Sequence, residues 1–320
     1  MAHLQFSTSP DLVALCIHTR SNEINELIAA ECEHLTGGRP DEDGVAQCRS
    51  LEHIPRAAYV RTGLRRIAQA ATFADLLDVL RQTPFDVDDF RVDALCLSGR
   101  FPMPRQAAAV VAADAIRCRA NVAAPRHHLL LVAQRHTFWI GEVVVEAAQT
   151  YLPHTQKPCH VSSSLEARVA RALVNLVIPL SGTLIDPCCG TGSILLEAAA
   201  LGLTAYGADS NRRMVRMAQR NLLHFGYAPA VELADAREWS QTADALVTDL
   251  PYGRQLASAE ASIPDILAHA ATLAPLAVYV AGVDIRAELA AAGYSDIVVY
   301  RLVKPNGFTR YVHRARGRRR

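Results

Sequence analysis

The chain has 320 residues, half of them apolar and 20% charged, which excludes a disordered protein and predicts two domains, since compact domains cluster near ~100 to 200 residues. Its net charge of +1 hides a gradient, −6 over residues 1–43, +3 over 44–155 and +4 over 156–320. No apolar run reaches the roughly 18 residues that span a bilayer, and the eight cysteines form neither a C-x-x-C pair nor a Cys/His cluster. A membrane anchor, a disulfide framework and bound metal are therefore not expected, and the chain reads as soluble and cytoplasmic.

Residues 1–54 are acidic and weakly patterned around TGGRPDEDG (36–44), and read as a poorly packed lead-in. From Tyr59 to Leu80 the apolar residues Leu64, Ile67, Ala68, Ala71, Leu76, Leu77 and Leu80 recur at three- and four-residue spacings, which predicts one or two amphipathic helices. A small α/β unit follows, with a strand at FRVDALCL (90–97), a helix over 105–120 and a strand pair at 128–134 and 137–145. Arg117, Arg119, Arg126 and Arg135, with His127 and His128, are its candidate phosphate-contacting groups. A solvated face explains the same residues equally well. TYLPHTQKP (150–158), with two prolines, reads as a linker, so that 55–155 and 156–320 form the two domains.

Beyond the linker, short apolar runs alternate with helical stretches, the pattern of a mostly parallel α/β sheet. Strands are expected near 182–186, 203–208, 229–233, 244–249 and 276–283. Helices are expected at 163–179, 192–202, 211–225, 262–274 and 284–292. At the end, SDIVVYRLVK and FTRYVHRA flank Pro305-Asn306-Gly307, which predicts a terminal antiparallel hairpin. The last eleven residues hold six arginines, Arg310 among them, and no acid, as would suit a phosphate backbone or a frayed, solvated tail.

The sharpest local feature is LIDPCCGTGSILLEAAALG, where a strand ends at Asp186 and turns through Cys189, Gly190 and Gly192 into a helix. Glycines there let backbone approach a ligand closely. The third glycine of the dinucleotide fingerprint is missing and no Gly-Lys-Ser/Thr follows, so nucleotide phosphates are disfavoured. An acid just before the turn suits a cationic ligand such as S-adenosylmethionine, whose sulfonium and ammonium groups Asp186 would face. Asp209, nineteen residues after Gly190, is placed for ribose hydroxyls. After the third strand, Asp235 would accept from an adenine amino group while the amide of Ala236 donates to the ring.

The fourth strand, ALVTDLPYG (245–253), carries the chemistry. An exocyclic amino group on a base is a poor nucleophile because its lone pair is delocalised into the ring. Asp249, with the carbonyl of Leu250 or Pro251, would accept both N–H groups and aim the lone pair, Tyr252 would stack on the base, and Gly253 would relax the turn.

DPCCGTGS together with TDLPYG resembles the THUMP-domain tRNA guanine-N2 methyltransferases, over about 157–320, and KPCHVSSSLEARVARALVNL and NGFTRYV resemble that family's flanking segments. The resemblance implies a Rossmann-like, class I S-adenosylmethionine-dependent fold with a seven-stranded sheet, tRNA as acceptor, and a THUMP-like α+β domain over 55–155. Leu250 stands where many members have a second proline, which puts the target position in doubt. Two other readings remain open on the residues: the same pocket acting on DNA adenine or protein glutamine, and an RNA-binding protein without catalysis.

Overall fold

The computed structural model describes residues 11–16, 25–83, 88–177, 182–251, 263–303 and 309–317. They fall into two compact units. One is drawn from residues up to 18, 35–55 and 60–147, and the other from 19–34, 56–59 and 148–320.

The first unit is built on a six-stranded sheet. Its strands are β1 (Leu12–Cys16), β2 (Val45–Cys48), β3 (Val60–Ala70), β4 (Phe90–Cys96), β5 (His127–Gln134) and β6 (Thr137–Glu146), in the order β2-β1-β3-β6-β5-β4. Only β4 and β5 are parallel. Helices α2 (Phe73–Gln82) and α3 (Arg105–Ala115) cover one face through Leu76, Leu80, Ala108 and Ala112.

Two expectations are corrected in this unit. Residues 60–70 form a strand and not a helix. The β3–β6 ladder is bulged twice: between Gly63 and Leu64 the extra residue is Val144 of β6, and between Arg66 and Ala68 it is Ile67 of β3. The extra residue in β3 breaks its period of two and gives it helix-like spacings. The lead-in is likewise no loose segment among its described residues: β1 and β2 are laddered into the sheet, with Val13, Leu15 and Val45 packed on Leu64, Val132 and Trp139. The acidity of 25–34 also conceals one buried acid. Glu31, on helix α1 (Asn25–Thr36), accepts from the amides of Ala58 and Tyr59 at 2.8 and 2.7 Å and from Asn175 Nδ2 at 2.6 Å.

The second unit carries a seven-stranded sheet. In chain order its elements are α4 (Ala167–Asn175), β7 (Thr183–Asp186), α5 (Ser193–Ala200), β8 (Thr204–Asp209), α6 (Arg212–His224), β9 (Val231–Leu233), β10 (Ala245–Asp249), α7 (Ile263–Ala270), β11 (Leu276–Ala281), α8 (Arg286–Ala291), β12 (Ser295–Val303) and β13 (Thr309–Arg316). The expected strands and helices are present, shorter by a few residues at their ends. The spatial order is β12-β13-β11-β10-β7-β8-β9, and only β13 runs antiparallel to its neighbours. Strand β11 and the first three residues of β10 read as apolar runs, as strands buried on both faces do. The chain enters at β7 in mid-sheet, winds outward through β8 and β9, then crosses back to β10. The direction of winding thus reverses between β7 and β10, and a ligand crevice belongs at the carboxyl ends of the strands there.

The arginine-rich end is partly corrected. Arg310, Arg314 and Arg316 are part of β13 rather than a tail. Arg310 is buried and donates to the Ser163 carbonyl at 3.2 Å, Arg314 donates to the Leu176 carbonyl, and Arg316 pairs with Asp296. Residues 304–308, including the expected Pro-Asn-Gly turn, and 318–320 lie outside the described residues.

Candidate active site

A cleft of about 630 Å³ opens at that reversal point. It is lined by the turn after β7, the ends of β8 and β10, the loop after β9 and residues 161–165.

The first wall is the turn from β7 into α5. Gly190 and Gly192 both adopt left-handed backbone, with φ of +53° and +78°, which only glycine enters freely. They serve different ends. A side chain at Gly190 would meet nothing within 4 Å, so this backbone faces open space, whereas one at Gly192 would press on Ala218 of α6 at 3.2 Å. Cys189 lines the cleft and is buried in a cluster with Leu195, Val215 and Leu222. Burial pushes the Cys188 and Cys189 thiols up, so both stay protonated and are no nucleophiles.

Acidic groups ring the cleft. Asp209 closes β8 and clamps the glycine turn, its carboxylate accepting from the Gly190 amide at 2.9 Å and from the Asn211 amide at 2.8 Å. Burial raises its pKa. Asp186 is almost wholly buried and accepts from Thr248 Oγ1 at 2.7 Å and the Cys188 amide at 3.2 Å. Burial, with smaller contributions from Asp249 and Asp209, pushes its carboxyl up to about 8. Asp249 ends β10 on the cleft, followed by Leu250 and Pro251. Leu250 is in the apolar core and its amide donates to the Val280 carbonyl, so any contact it makes to a ligand is through its own carbonyl. Asp235 lines the opposite rim, held by Arg237 at 2.5 and 2.9 Å, and that guanidinium keeps its carboxyl at about 2. Ala236 beside it is buried with its residue on the cleft wall. Tyr252 and Gly253 lie outside the described residues.

Several groups here escaped the sequence reading. Thr248 anchors Asp186, and its signal is a buried hydroxyl in the strand preceding Asp249. Lys157, one of only two lysines, donates from Nζ to Ser193 Oγ and, at 3.1 Å, to Thr191 Oγ1, bracing the glycine turn from behind; burial brings its ammonium down to about 8. The His154 Nδ1 meets Glu197 at 2.7 Å, and Glu197 also binds Arg171 at 2.7 Å, all three buried.

The first unit's candidates do not form one surface. Arg117, Arg119, Arg126 and Arg135 are exposed, but Arg126 and Arg135 flank opposite ends of the eight-residue strand β5, about 30 Å apart. His127 and His128 are each taken by a carboxylate, Glu142 and Asp93, at 2.7 Å.

The profile of the RMKL-like methyltransferase domain matches residues 154–271, the stretch that holds this cleft. Among curated proteins, the tRNA (guanine(10)-N2)-dimethyltransferase of Methanothermobacter thermautotrophicus is 40% identical over 105 residues, 32% of this chain and 31% of that one. A protein of Methanothermococcus thermolithotrophicus named "Probable tRNA (guanine(10)-N2)-dimethyltransferase" is 31% identical over 113 residues, 31% of this chain and 68% of that one. The chain belongs to the RMKL-like methyltransferase family. The resemblance to the tRNA guanine-N2 methyltransferases stands with it. Against the first three relatives the match spans only 31 to 43% of their length. TrmN from Thermus thermophilus, 17% identical with a TM-score of 0.50 over 96% of this chain and 99% of that one, shares the fold.

S-adenosylmethionine is the methyl donor of this family, and the residues present fit it. The backbone at Gly190 leaves open the space a side chain would fill, and the acids around the cleft suit a ligand with sulfonium and ammonium charges. Among the described residues no helix is long and apolar enough to cross a membrane.

Proposed function

We propose that this methyltransferase transfers the methyl group to the exocyclic N2 amino group of a guanosine in tRNA. The observation that carries the reading is the placement of Asp249 and Pro251 on the same cleft as Asp186, Gly190 and Asp209, so that an acceptor group and a cationic donor meet at one reversal point of the sheet. Curated relatives named for guanine-N2 transfer to tRNA support the choice of atom and acceptor.

In this reading Asp209 holds the ribose hydroxyls, Asp235 and the Ala236 amide hold the adenine, and Gly190 lets the backbone approach the donor. Asp186 faces its amino acid portion. The donor supplies a methyl group on a positively charged sulfur, already activated for displacement. Asp249 accepts an N–H of the amino group, which withdraws the lone pair from the ring and aims it, and the carbonyl of Leu250 or Pro251 accepts the other. As the N–C bond forms and the C–S bond breaks, the amino nitrogen becomes cationic and releases a proton, which the Asp249 carboxylate is placed to receive. Tyr252 and Gly253 keep the roles read for them from the sequence, base stacking and backbone freedom. Arg310, buried at the start of β13 and bonded to Ser163 of the cleft wall, shapes the acceptor side rather than meeting phosphate. The first unit, a THUMP-like domain, docks the RNA, with Arg117, Arg119 and Arg126 as its phosphate contacts, and the setting is the cytoplasm.

The test is nucleoside mass spectrometry of unmodified tRNA incubated with purified protein and isotope-labelled donor. Label in N2-methylguanosine or its dimethyl form is expected. Donor binding without labelled guanosine would defeat the reading.

A further inference from the structure

Helix α6 carries Arg212, Arg213, Arg216 and Arg220 and no acidic residue. All four are exposed, while Val215, Ala218 and Leu222 turn the other face into the core. Among the described residues, the exposed arginines elsewhere in this unit are neutralised: Arg237 by Asp235, Arg286 by Asp284, Arg301 by Glu26 and Arg316 by Asp296. Among the described residues none of the four on α6 has a carboxylate within 4.0 Å.

Local physics opposes this arrangement. Arg212 and Arg213 sit in the first helical turn, where the macrodipole is positive and acids are preferred. Arg212 and Arg216, and again Arg216 and Arg220, are like charges at i,i+4, and Arg213 and Arg216 at i,i+3, all of them repulsive pairs. The chain's preference for arginine over lysine, 31 to 2, accounts for arginine standing in place of lysine, but not for four unneutralised cations set against the dipole on one face. A set of residues that breaks local rules without a compensating contact inside the fold points to a contact outside it. The stripe runs about 12 Å along the helix. It starts at the cleft, since Asn211, which caps α6, and Met214 both line it.

We propose that the arginine face of α6 is an RNA contact surface of the methyltransferase unit, binding backbone phosphates of the substrate. Guanidinium groups suit that partner because each presents a fork of donors to two phosphate oxygens and keeps its charge at any physiological pH. The proposal rests on the reading of the substrate as RNA, and places part of the RNA grip on the catalytic unit itself, outside the THUMP-like unit.

The experiment uses the full chain and an unmodified tRNA transcript. Two quadruple variants are compared with wild type, one changing Arg212, Arg213, Arg216 and Arg220 to Gln and the other changing all four to Lys. Binding is read by fluorescence anisotropy between 50 and 200 mM salt, alongside donor binding by calorimetry and the KM for tRNA. Each phosphate contact contributes roughly 0.7 to 0.9 to the slope of log affinity against log salt, so the Gln variant is expected to lose about 3 from the slope and at least tenfold in affinity at low salt. Its donor affinity is expected to hold, its KM for tRNA to rise and its kcat at saturation to stay, while the Lys variant keeps the slope. Two half-variants, Arg212→Gln with Arg213→Gln and Arg216→Gln with Arg220→Gln, should each show about half the change. Unchanged affinity and slope in the Gln variant, with wild type methylating tRNA, would overturn the proposal and leave α6 a solvated face or a site for a protein partner. A wild-type chain that binds donor but neither binds nor methylates tRNA would defeat the RNA reading first, and this proposal with it.

Discussion

Donor binding is expected to expel a proton, and Asp186 is its source. The carboxyl is buried, with Thr248, Asp209 and Asp249 around it, and its pKa of about 8 keeps it mostly protonated at pH 6.5. A sulfonium and an ammonium brought into the cleft favour the carboxylate, so its pKa falls on binding. At pH 6.5 this releases about one proton per donor, measurable by calorimetry in two buffers of different ionisation enthalpy. Only the ionised fraction binds well, about one in eleven at pH 7 and about nine in ten at pH 9, so affinity should rise about tenfold across that range, or about 1.4 kcal/mol. The donor's own α-amino group titrates near 8. Asp186→Asn supplies the reference, since its profile contains only the ligand's titration. The sign for stability runs the other way. The folded carboxyl keeps its proton up to about pH 8, whereas the unfolded one releases it near 3.8, so the unliganded fold loses stability as pH rises through that interval. Equal proton release by wild type and Asp186→Asn at pH 6.5 would refute this account.

Four further substitutions separate roles within the catalytic unit. Gly190→Ala and Gly192→Ala both place a side chain at positive φ, costing about 1 to 2 kcal/mol in each; calorimetry should find donor affinity down at least tenfold in the first, whose new methyl enters the cleft, while urea unfolding should find the larger stability loss in the second, whose methyl presses on Ala218. Asp249→Ala should leave donor affinity within about twofold and lower single-turnover methyl transfer by ~10² to 10⁴, and equal loss of both would mean that Asp249 serves the donor. Glu197→Ala strands the buried Arg171 guanidinium and should cost about 3 to 5 kcal/mol in urea unfolding, with part recovered on adding Arg171→Met. A loss below about 1 kcal/mol would show that this pair holds little of the fold.

The catalytic unit was largely legible from sequence because its signals are local. A strand that must be buried on both faces reads as an apolar run, as in β11, and a turn at positive φ favours glycine, as at Gly190 and Gly192. The acids that end β8 and β10 follow from the same logic, since a ligand crevice at the strand ends needs its polar groups there. The first unit was harder. The bulge at Ile67 in β3 imitated helical spacing, and the strands of the acidic N-terminal stretch are only five and four residues long, too short for alternation to stand out.

What sequence alone determined is the fold class, the donor turn and the identity of the acids around it, because backbone geometry and charge are properties of residues and their immediate neighbours. What the tertiary structure decided is which of those groups face one another. Asp186 became a buried acid only when Thr248, Asp209 and Asp249 closed around it, and Lys157 became a brace only when α5 was set against its segment. Arg310 passed from a basic tail to a buried strand, and the arginines of α6 were left unneutralised where others found acids. Burial and pairing depend on contacts between residues far apart in the chain. The same arginine is therefore a structural partner in one place and an open surface charge in another, and only the folded structure tells them apart.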